Sequence, residues 1–528
     1  MGNAVTYKDL YLSFGGVVSM DRLEITQSPG QHGKLVLSAV LEGESEGEAF
    51  DRLPETVAVQ YRQDGKEKIL FKGIVADSSM KRVGNYRKVE LKAYDATYLL
   101  DTERRTRSFQ NTARTTHSVI AEVLECYQDC VCRKNLPEEP IGQVWFQYEE
   151  TDWEFLNRFM GNYADSLYAD ATYSAARFQA GLSPEDVDVD WDTLPYRIGK
   201  DLERYDRLSQ NGFRGLRTEQ FVEYTVDSHD LYTLGSRLVY KGRRWYVGAL
   251  KRELREGLLV TAYRLRQRAG LYVPKTYNRR ITGISVDGKV TEISRDKVRV
   301  TLNGDLTKEQ GTYWFPFSTV AASADGSGWY SMPEKGDSIR VYFPTCDERE
   351  GYAITMHDSH MPSARGGGSA DSKGNGNGMG GGTEIGGNAA FAGTSTGNAA
   401  AGTVSGEGSA AVSREPAAVR KTDAVREDPM GDPGKRNIFT KDGCIVQMVP
   451  EGVLLASGQS SVTLGKDGTV VFHAPQGICI HAGKHLSING RNVTMEAGTM
   501  VEIKNGKKAY MNMQKTQTKL HGQEIYEN

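Results

Sequence analysis

VTLGKDGTVVFHAPQGICIHAGKHLSINGRNVTMEAGTMVEI, residues Val462 to Ile503, decides how the C-terminal part of this chain folds. Within it an apolar-x-apolar pair returns six times at a spacing of eight residues, with one slip to seven. The pairs are Val462/Leu464, Val470/Phe472, Ile478/Ile480, Leu486/Ile488, Val493/Met495 and Val501/Ile503. Residues two apart share one face of a β-strand, and Gly465, Asp467, Gly468, Gly477, Gly483, Asn489, Gly490, Gly498, Asn505 and Gly506 between them are turn formers. A stack of short strands is expected, each burying one edge. Eight residues make one wall, too short for a single-chain β-solenoid coil, and the Gly-Gly-x-Gly-x-Asp calcium repeat is missing. Three copies about a threefold axis supply three walls and a closed apolar interior without open sheet edges. The twelve paired residues are therefore the expected core of a trimeric, intertwined β-helix needle over 435–510, with 511–528 as its tip.

Upstream, the Gly/Ala/Ser/Asn stretch over 361–434, with Gly366-Gly367-Gly368 and Gly380-Gly381-Gly382, has almost nothing to bury. Its composition predicts a long flexible linker, reaching roughly 5 to 6 Å times the square root of residue number, that sets the needle apart from everything before it. Residues 280–360 are dense in strands. Lys297-Val298-Arg299-Val300-Thr301-Leu302 and Ser338-Ile339-Arg340-Val341-Tyr342-Phe343 alternate, with Pro333-Glu334-Lys335-Gly336-Asp337 turning the chain before the second. About 80 residues of this kind suit an OB-fold; a basic-aromatic stacking face is not evident, so a scaffold role is favoured over ligand binding.

Residues 1–275 mix strands with a few helices. Helices are expected over Thr115 to Tyr127 and Asp152 to Tyr163, the second started by Thr151 or Asp152 satisfying free amides. Phe71-Lys72-Gly73-Ile74-Val75 with Val89 to Tyr94 is echoed by Trp245-Tyr246-Val247-Gly248-Ala249 with Leu259 to Tyr263. The echo predicts two similar hub β-barrels in one chain, hence six in a trimer. The fold class is mainly β with some helix.

Composition narrows the function. The 65 basic and 68 acidic side chains leave a net charge of -3, which argues against nucleic acid as a partner. Mean hydropathy is -0.51 and no apolar run nears the ~20 residues of a membrane helix. Met1 to Gly16 lacks a signal-peptide pattern, so synthesis and assembly in a cytoplasm are expected. Gly2 to Thr6 fits a degenerate myristoylation pattern and is read as coincidence. Cys126-x3-Cys130-x-Cys132, Cys346, Cys444 and Cys479 form no paired Cys-x2-Cys knuckles, so reduced thiols are expected rather than structural zinc.

Three stretches carry a resemblance. Arg107-Ser108-Phe109-Gln110-Asn111-Thr112 with Gln147-Tyr148-Glu149-Glu150-Thr151-Asp152-Trp153-Glu154-Phe155-Leu156-Asn157-Arg158 is similar to the hub region of VgrG-type hub-spike proteins of contractile injection systems. Gly328-Trp329-Tyr330-Ser331-Met332-Pro333-Glu334-Lys335-Gly336-Asp337 resembles that family's OB-fold signature, and Asn437-Ile438-Phe439-Thr440-Lys441-Asp442-Gly443 its lead-in to the needle. The resemblance implies a phage tail-like baseplate hub and spike with these partners: an inner-tube protein at the hub end, baseplate proteins, a small PAAR-like tip-cap protein, effector cargo and transient contact with a target membrane. It implies delivery of the particle outside the cell or into a target envelope. The long Gly-rich insert departs from the family pattern, as does the lack of a His-x-His iron site. Alternative readings are a trimeric tail fibre or adhesin binding a surface glycan, for which Tyr510 and Tyr526 are the support, or a tail-associated peptidoglycan hydrolase.

Candidate chemistry is thin, and no enzyme, cofactor or metal is expected. Glu149, Glu150 and Asp152 have the residue types of a carboxylate pair, yet acids at a helix start are explained by the helix dipole. His481 and His485 alternate outward from Ile478, Ile480 and Leu486, as does Cys479, so solvation is expected over ligation. No phosphate loop or Gly-x-Ser-x-Gly elbow is present.

Overall fold

The computed structural model describes residues 4–42, 55–63, 65–84, 86–318, 328–355, 430–432, 434–440, 442–505, 509–514 and 516–522. Gly2 of the myristoylation pattern, most of the linker expected over 361–434, and Tyr526 of the tip lie outside them.

The fold is mainly β, with helices α1 (Thr116–Leu124), α2 (Asp152–Gly161) and α3 (Leu202–Gln210). A 12-stranded sheet organises the first 266 residues. Its main path runs Leu10–Leu12, Thr56–Gln63, Lys66–Val83, Tyr86–Asp95, Lys34–Leu41, Val17–Gln27, Arg243–Arg255, Leu258–Arg266, Val222–Ser228 and Tyr196–Lys200. The two echoed hairpins fall in corresponding places. Lys66–Val83 pairs with Tyr86–Asp95, and Arg243–Arg255 with Leu258–Arg266, each with a bulge, between Val75 and Asp77 or between Val247 and Ala249. Each half owns a separate core, one around Phe71, Val89 and Leu91, the other around Trp191, Tyr263 and Leu265. The halves are joined as one sheet by Glu24–Gln27 against Leu250–Glu253. Gly73 marks a point where only glycine fits, since an added Cβ would lie 2.1 Å from the Tyr94 carbonyl oxygen.

A third core of helix and strand lies between, with Val119, Ile120 and Val123 of α1 against Phe155, Leu156 and Phe159 of α2. The 3.6-residue spacing that predicts both helices holds, with each ending earlier than expected because Glu125 and Asn162 cap them.

The expected OB-fold region is a five-stranded sheet in the order Phe315–Pro316, Lys297–Leu302, Ile284–Ser294, Ser338–Phe343 and Tyr352–Thr355. Both alternating runs form strands over the residues predicted. One expectation is corrected. The Gly-rich stretch does not set the needle apart: Gly328–Tyr330 pairs antiparallel with Arg436–Phe439, and Met430 and Phe439 pack on the OB-fold core. The physical reason is that Ile438 and Phe439 find a partner strand and an apolar surface there, which composition of the intervening stretch does not reveal.

Candidate functional site

From Arg436 the chain runs as an antiparallel meander through Cys444–Val449, Gly452–Ser457, Ser460–Gly465 and Val470–His473. Register places the first two repeat pairs opposite each other, Val462 against Phe472 and Leu464 against Val470. The same face continues upstream through Leu455 and Val453, then Val446 and Met448, then Ile438. This apolar face therefore begins some 24 residues before the eight-residue repeat. Alternation in Val446-x-Met448 and Val453-x-Leu455 is the signal that could have found it. Phe472 is 62% exposed, Leu464 42% and Ile438 38%. On the opposite face Ile445 and Leu454 are buried within the chain.

The three middle pairs behave differently from the first two. Residues 474–499 form no strand, and Ile478, Ile480, Leu486, Ile488, Val493 and Met495 are all more than half exposed. Strands return at Met500–Asn505, where Val501 faces Met513 and Ile503 faces Met511 of Ala509–Gln514, which pairs in turn with Gln517–His521. A soluble chain rarely leaves so long an apolar series in water. Among the described residues one chain supplies neither strand partners nor cover for the three middle pairs. His481, His485 and Cys479 are exposed alongside, and no metal-holding group of His, Cys, Asp or Glu occurs among the described residues.

The candidate carboxylates sit at the junction of hub and OB-fold. Thr151 caps α2 through a reciprocal box with Glu154, both bonds 3.1 Å. Glu150 precedes the helix, in the Trp145–Thr151 strand, and holds the buried Arg158 by two bonds of 2.8 and 2.7 Å. Arg158 reaches on to Glu348 of the OB-fold and donates to the Phe146 carbonyl at 3.1 Å. Asp152, fully buried, accepts from Arg107, from Gln147 at 2.8 Å and from Tyr127 at 2.8 Å. Arg280 grips Glu154 at 3.0 and 3.1 Å. Ser108 bonds Asp305, Gln110 donates to the Val300 carbonyl at 3.1 Å, and Phe146 stacks on Phe343 at 5.1 Å. Burial pushes the Glu150 carboxyl above its usual range, with Arg158 opposing. The helix dipole thus explains these acids only in part. They are a buried network that pins the hub to the OB-fold, and each charge is engaged by a fixed partner. Glu149 alone is exposed, at a left-handed φ of 47°.

Residues 33–172, which hold four strands of the first hub half and the hub side of this junction, match the family described as phage tail baseplate hub (GPD). Over those residues the chain carries a phage-tail baseplate hub domain. The stretches quoted above for the hub, OB-fold and needle resemble the VgrG type. No curated protein matches it. Among solved structures it is similar to the Escherichia coli c3393 protein, described as a type VI secretion component like the T4 tail proteins gp27 and gp5, at 12% identity and TM-score 0.47 over 65% of this chain and 98% of that one. A Francisella PdpA-VgrG complex is similar at 8% identity and TM-score 0.42, over 86% and 83%. The 43 kDa tail protein of prophage MuSo2 from Shewanella oneidensis is similar at 12% and 0.37, over 50% and 99%. The hub assignment rests on the family match over residues 33–172. Among the described residues no helix is long and apolar enough to cross a membrane.

Proposed function

We propose that three copies of this hub-spike protein form the central spike of a contractile injection system, capping its inner tube and puncturing the target envelope. The observation that carries this reading is the apolar series from Ile438 to Ile503 that one chain leaves largely exposed; two further copies about a threefold axis would cover it. Its core is Val462, Leu464, Val470, Phe472, Ile478, Ile480, Leu486, Ile488, Val493, Met495, Val501 and Ile503. Each fully buried side chain contributes about 1.5 to 3 kcal/mol before ordering costs. Folding of the needle and trimerisation become one event.

Division of labour follows the chain. The hub over 1–275, with two similar halves per protomer, offers a near-sixfold ring to a hexameric tube protein. The OB-fold over 280–360 is the collar that baseplate proteins surround. The needle over 435–510 leads, with residues 511–528 at a threefold tip that takes a small conical PAAR-like cap and effector cargo. Assembly is cytoplasmic, and membrane contact comes only at the target. The protein's work is mechanical: strands in series carry an axial load, and no catalytic step is assigned to it. The test is light scattering of the purified chain, joined to pull-down of tube subunits and imaging of particles. A 58.3 kDa monomer at micromolar concentration, or a hub that never binds tube subunits, would end this reading.

A further inference from the structure

A cleft of about 340 Å³ opens where α3, the Arg243–Arg255 and Leu258–Arg266 strands and the Tyr272–Pro274 segment meet. Arg204, Arg207, Arg264 and Arg266 line it, and no acidic residue does. Three carboxylates stand behind them. Glu223 pairs with Arg266 at 3.0 Å and with Arg264 at 3.7 Å, Asp201 lies 3.6 Å from Arg266, and Glu203 pairs with Arg207 at 2.5 Å. Four cations against three anions leave one positive charge, and the ion pairs assign it to Arg204, which has none among the described residues. Its Nη2 donates to the Tyr272 carbonyl at 3.1 Å, while its Nε is buried with no hydrogen-bond partner. Burial, then the charge of Arg266, hold this guanidinium below its usual range, with Asp201 opposing and Arg207 adding to it. A buried donor left unmade costs about 1–3 kcal/mol, and more when charged. Something in the assembled state is expected to meet it.

We propose that this cleft receives an acidic peptide segment of another protein, one carboxylate closing on Arg204 and flanking apolar side chains resting on Leu208, Val273 and Pro274. A single excess charge fits one carboxylate. A phosphate polyanion would need a basic stripe, and three acids stand within the arginine cluster instead. Arginine's planar fork suits a carboxylate in two parallel bonds, and the apolar walls keep water from competing. The site lies in the second hub half, so the partner is one that approaches the hub rather than the needle.

The probe is a fluorescein-labelled hexapeptide with two glutamates set between leucines, titrated into the full-length protein and followed by anisotropy. Saturable binding is expected, weakened at least tenfold by Arg204→Gln and several-fold by Arg264→Gln, and unchanged by Arg340→Gln on the OB-fold. Thermal melts establish that each variant folds, and Arg264→Gln, half-exposed, keeps the test alive if Arg204→Gln does not. The proposal is overturned if the wild-type protein shows no saturation, if a peptide with lysines in place of the glutamates binds as well, or if both arginine variants bind unchanged. Competition by inorganic phosphate or duplex DNA at concentrations matching the peptide would replace it with a general anion site.

Discussion

The hub–collar junction and the needle differ in what completes them. At the junction every strong charge has its partner inside the same chain: Glu150 and Glu348 share Arg158, and Asp152 gathers Arg107, Gln147 and Tyr127. In the needle the chain presents Phe472, Ile480 and Ile488 to solvent, and none of the described residues covers them. A satisfied polar network specifies one arrangement of two domains. An unsatisfied apolar wall specifies a partner. The first region is legible as a finished fold, and the second only as part of an assembly.

The largest effect expected is at the needle. In the proposed trimer, Ile480→Asp would place three carboxylates on the threefold axis, crowded and desolvated together, and the trimer should fall to monomer at micromolar concentration. His481→Asp, one residue away and of opposite phase, should keep the trimer. Light scattering on the two variants decides the matter, and equal loss in both would mean the inward phase is misassigned.

At the junction the loss should be of stability, with oligomeric state retained. Arg158→Met strands two buried carboxylates without their cation, a change of the kind that costs about 3–5 kcal/mol. Calorimetry should show the hub transition falling while the trimer persists. Since burial already raises the Glu150 carboxyl, lowering the pH should protonate it more readily in the variant and recover part of the loss. A variant as stable as the parent at neutral pH would show that the junction is held by Phe146 on Phe343 and its apolar neighbours alone.

A smaller, pH-linked effect belongs to the first hub half. Asp95 is buried, accepts from Gly33 at 2.6 Å and Thr97 at 2.9 Å, and has its carboxyl pushed by burial from 3.8 up to about 6. A folded value above the unfolded one means its favourable contribution is full below pH 3.8 and is lost as pH rises through 6. By the usual 1.36 kcal/mol per unit, the ionised group costs about 3 kcal/mol at neutral pH. His32, lowered by burial, has the opposite sign: its contribution is present above pH 6.5 and is lost on acidification. Asp95→Asn removes the gain that Asp95 protonation supplies, so between pH 6 and 4 the variant should lose stability more steeply than the parent. Parallel denaturation curves across that range would sink the assignment.

How much of this was open to the sequence depends on the range of the cause. Periodicity is local, so α1, α2, the two alternating OB-fold strands and the repeat could be read from residue spacing. The capping box of Thr151 and Glu154 was readable for the same reason. The links from Arg158 to Glu348 and from Arg107 to Asp152 were not, because those partners lie 190 and 45 residues apart. Position at a helix start gave a sufficient local explanation and hid the long-range one. The upstream extension of the apolar face was missed because Ile438, Val446 and Leu455 recur without fixed spacing; antiparallel register aligns them. Arg204 gave no signal at all, since its isolation depends on which carboxylates its three neighbours have taken.

The comparison is sharpest at the seam between the two regions, where the smallest effect is expected. Composition alone predicts that cutting the Gly-rich stretch frees the needle from the hub. Gly328–Tyr330 and Arg436–Phe439, however, form one ladder, Trp329 opposite Ile438, while Met430 and Phe439 pack on the core that holds Val298 and Val341. These contacts lie on both sides of the stretch. A protease site engineered near Gly397 should therefore be cleaved with little consequence: two fragments on a denaturing gel, one species by size exclusion. The ladder is short, so the apolar packing matters more than the strand bonds. Adding Phe439→Asp, which puts a charge against that core, should let the cleaved halves separate, whereas Ile438→Ser, on the outward face, should weaken the trimer before it loosens the seam. Separation of the halves by cleavage alone would show that the needle is held to the collar only by the covalent chain.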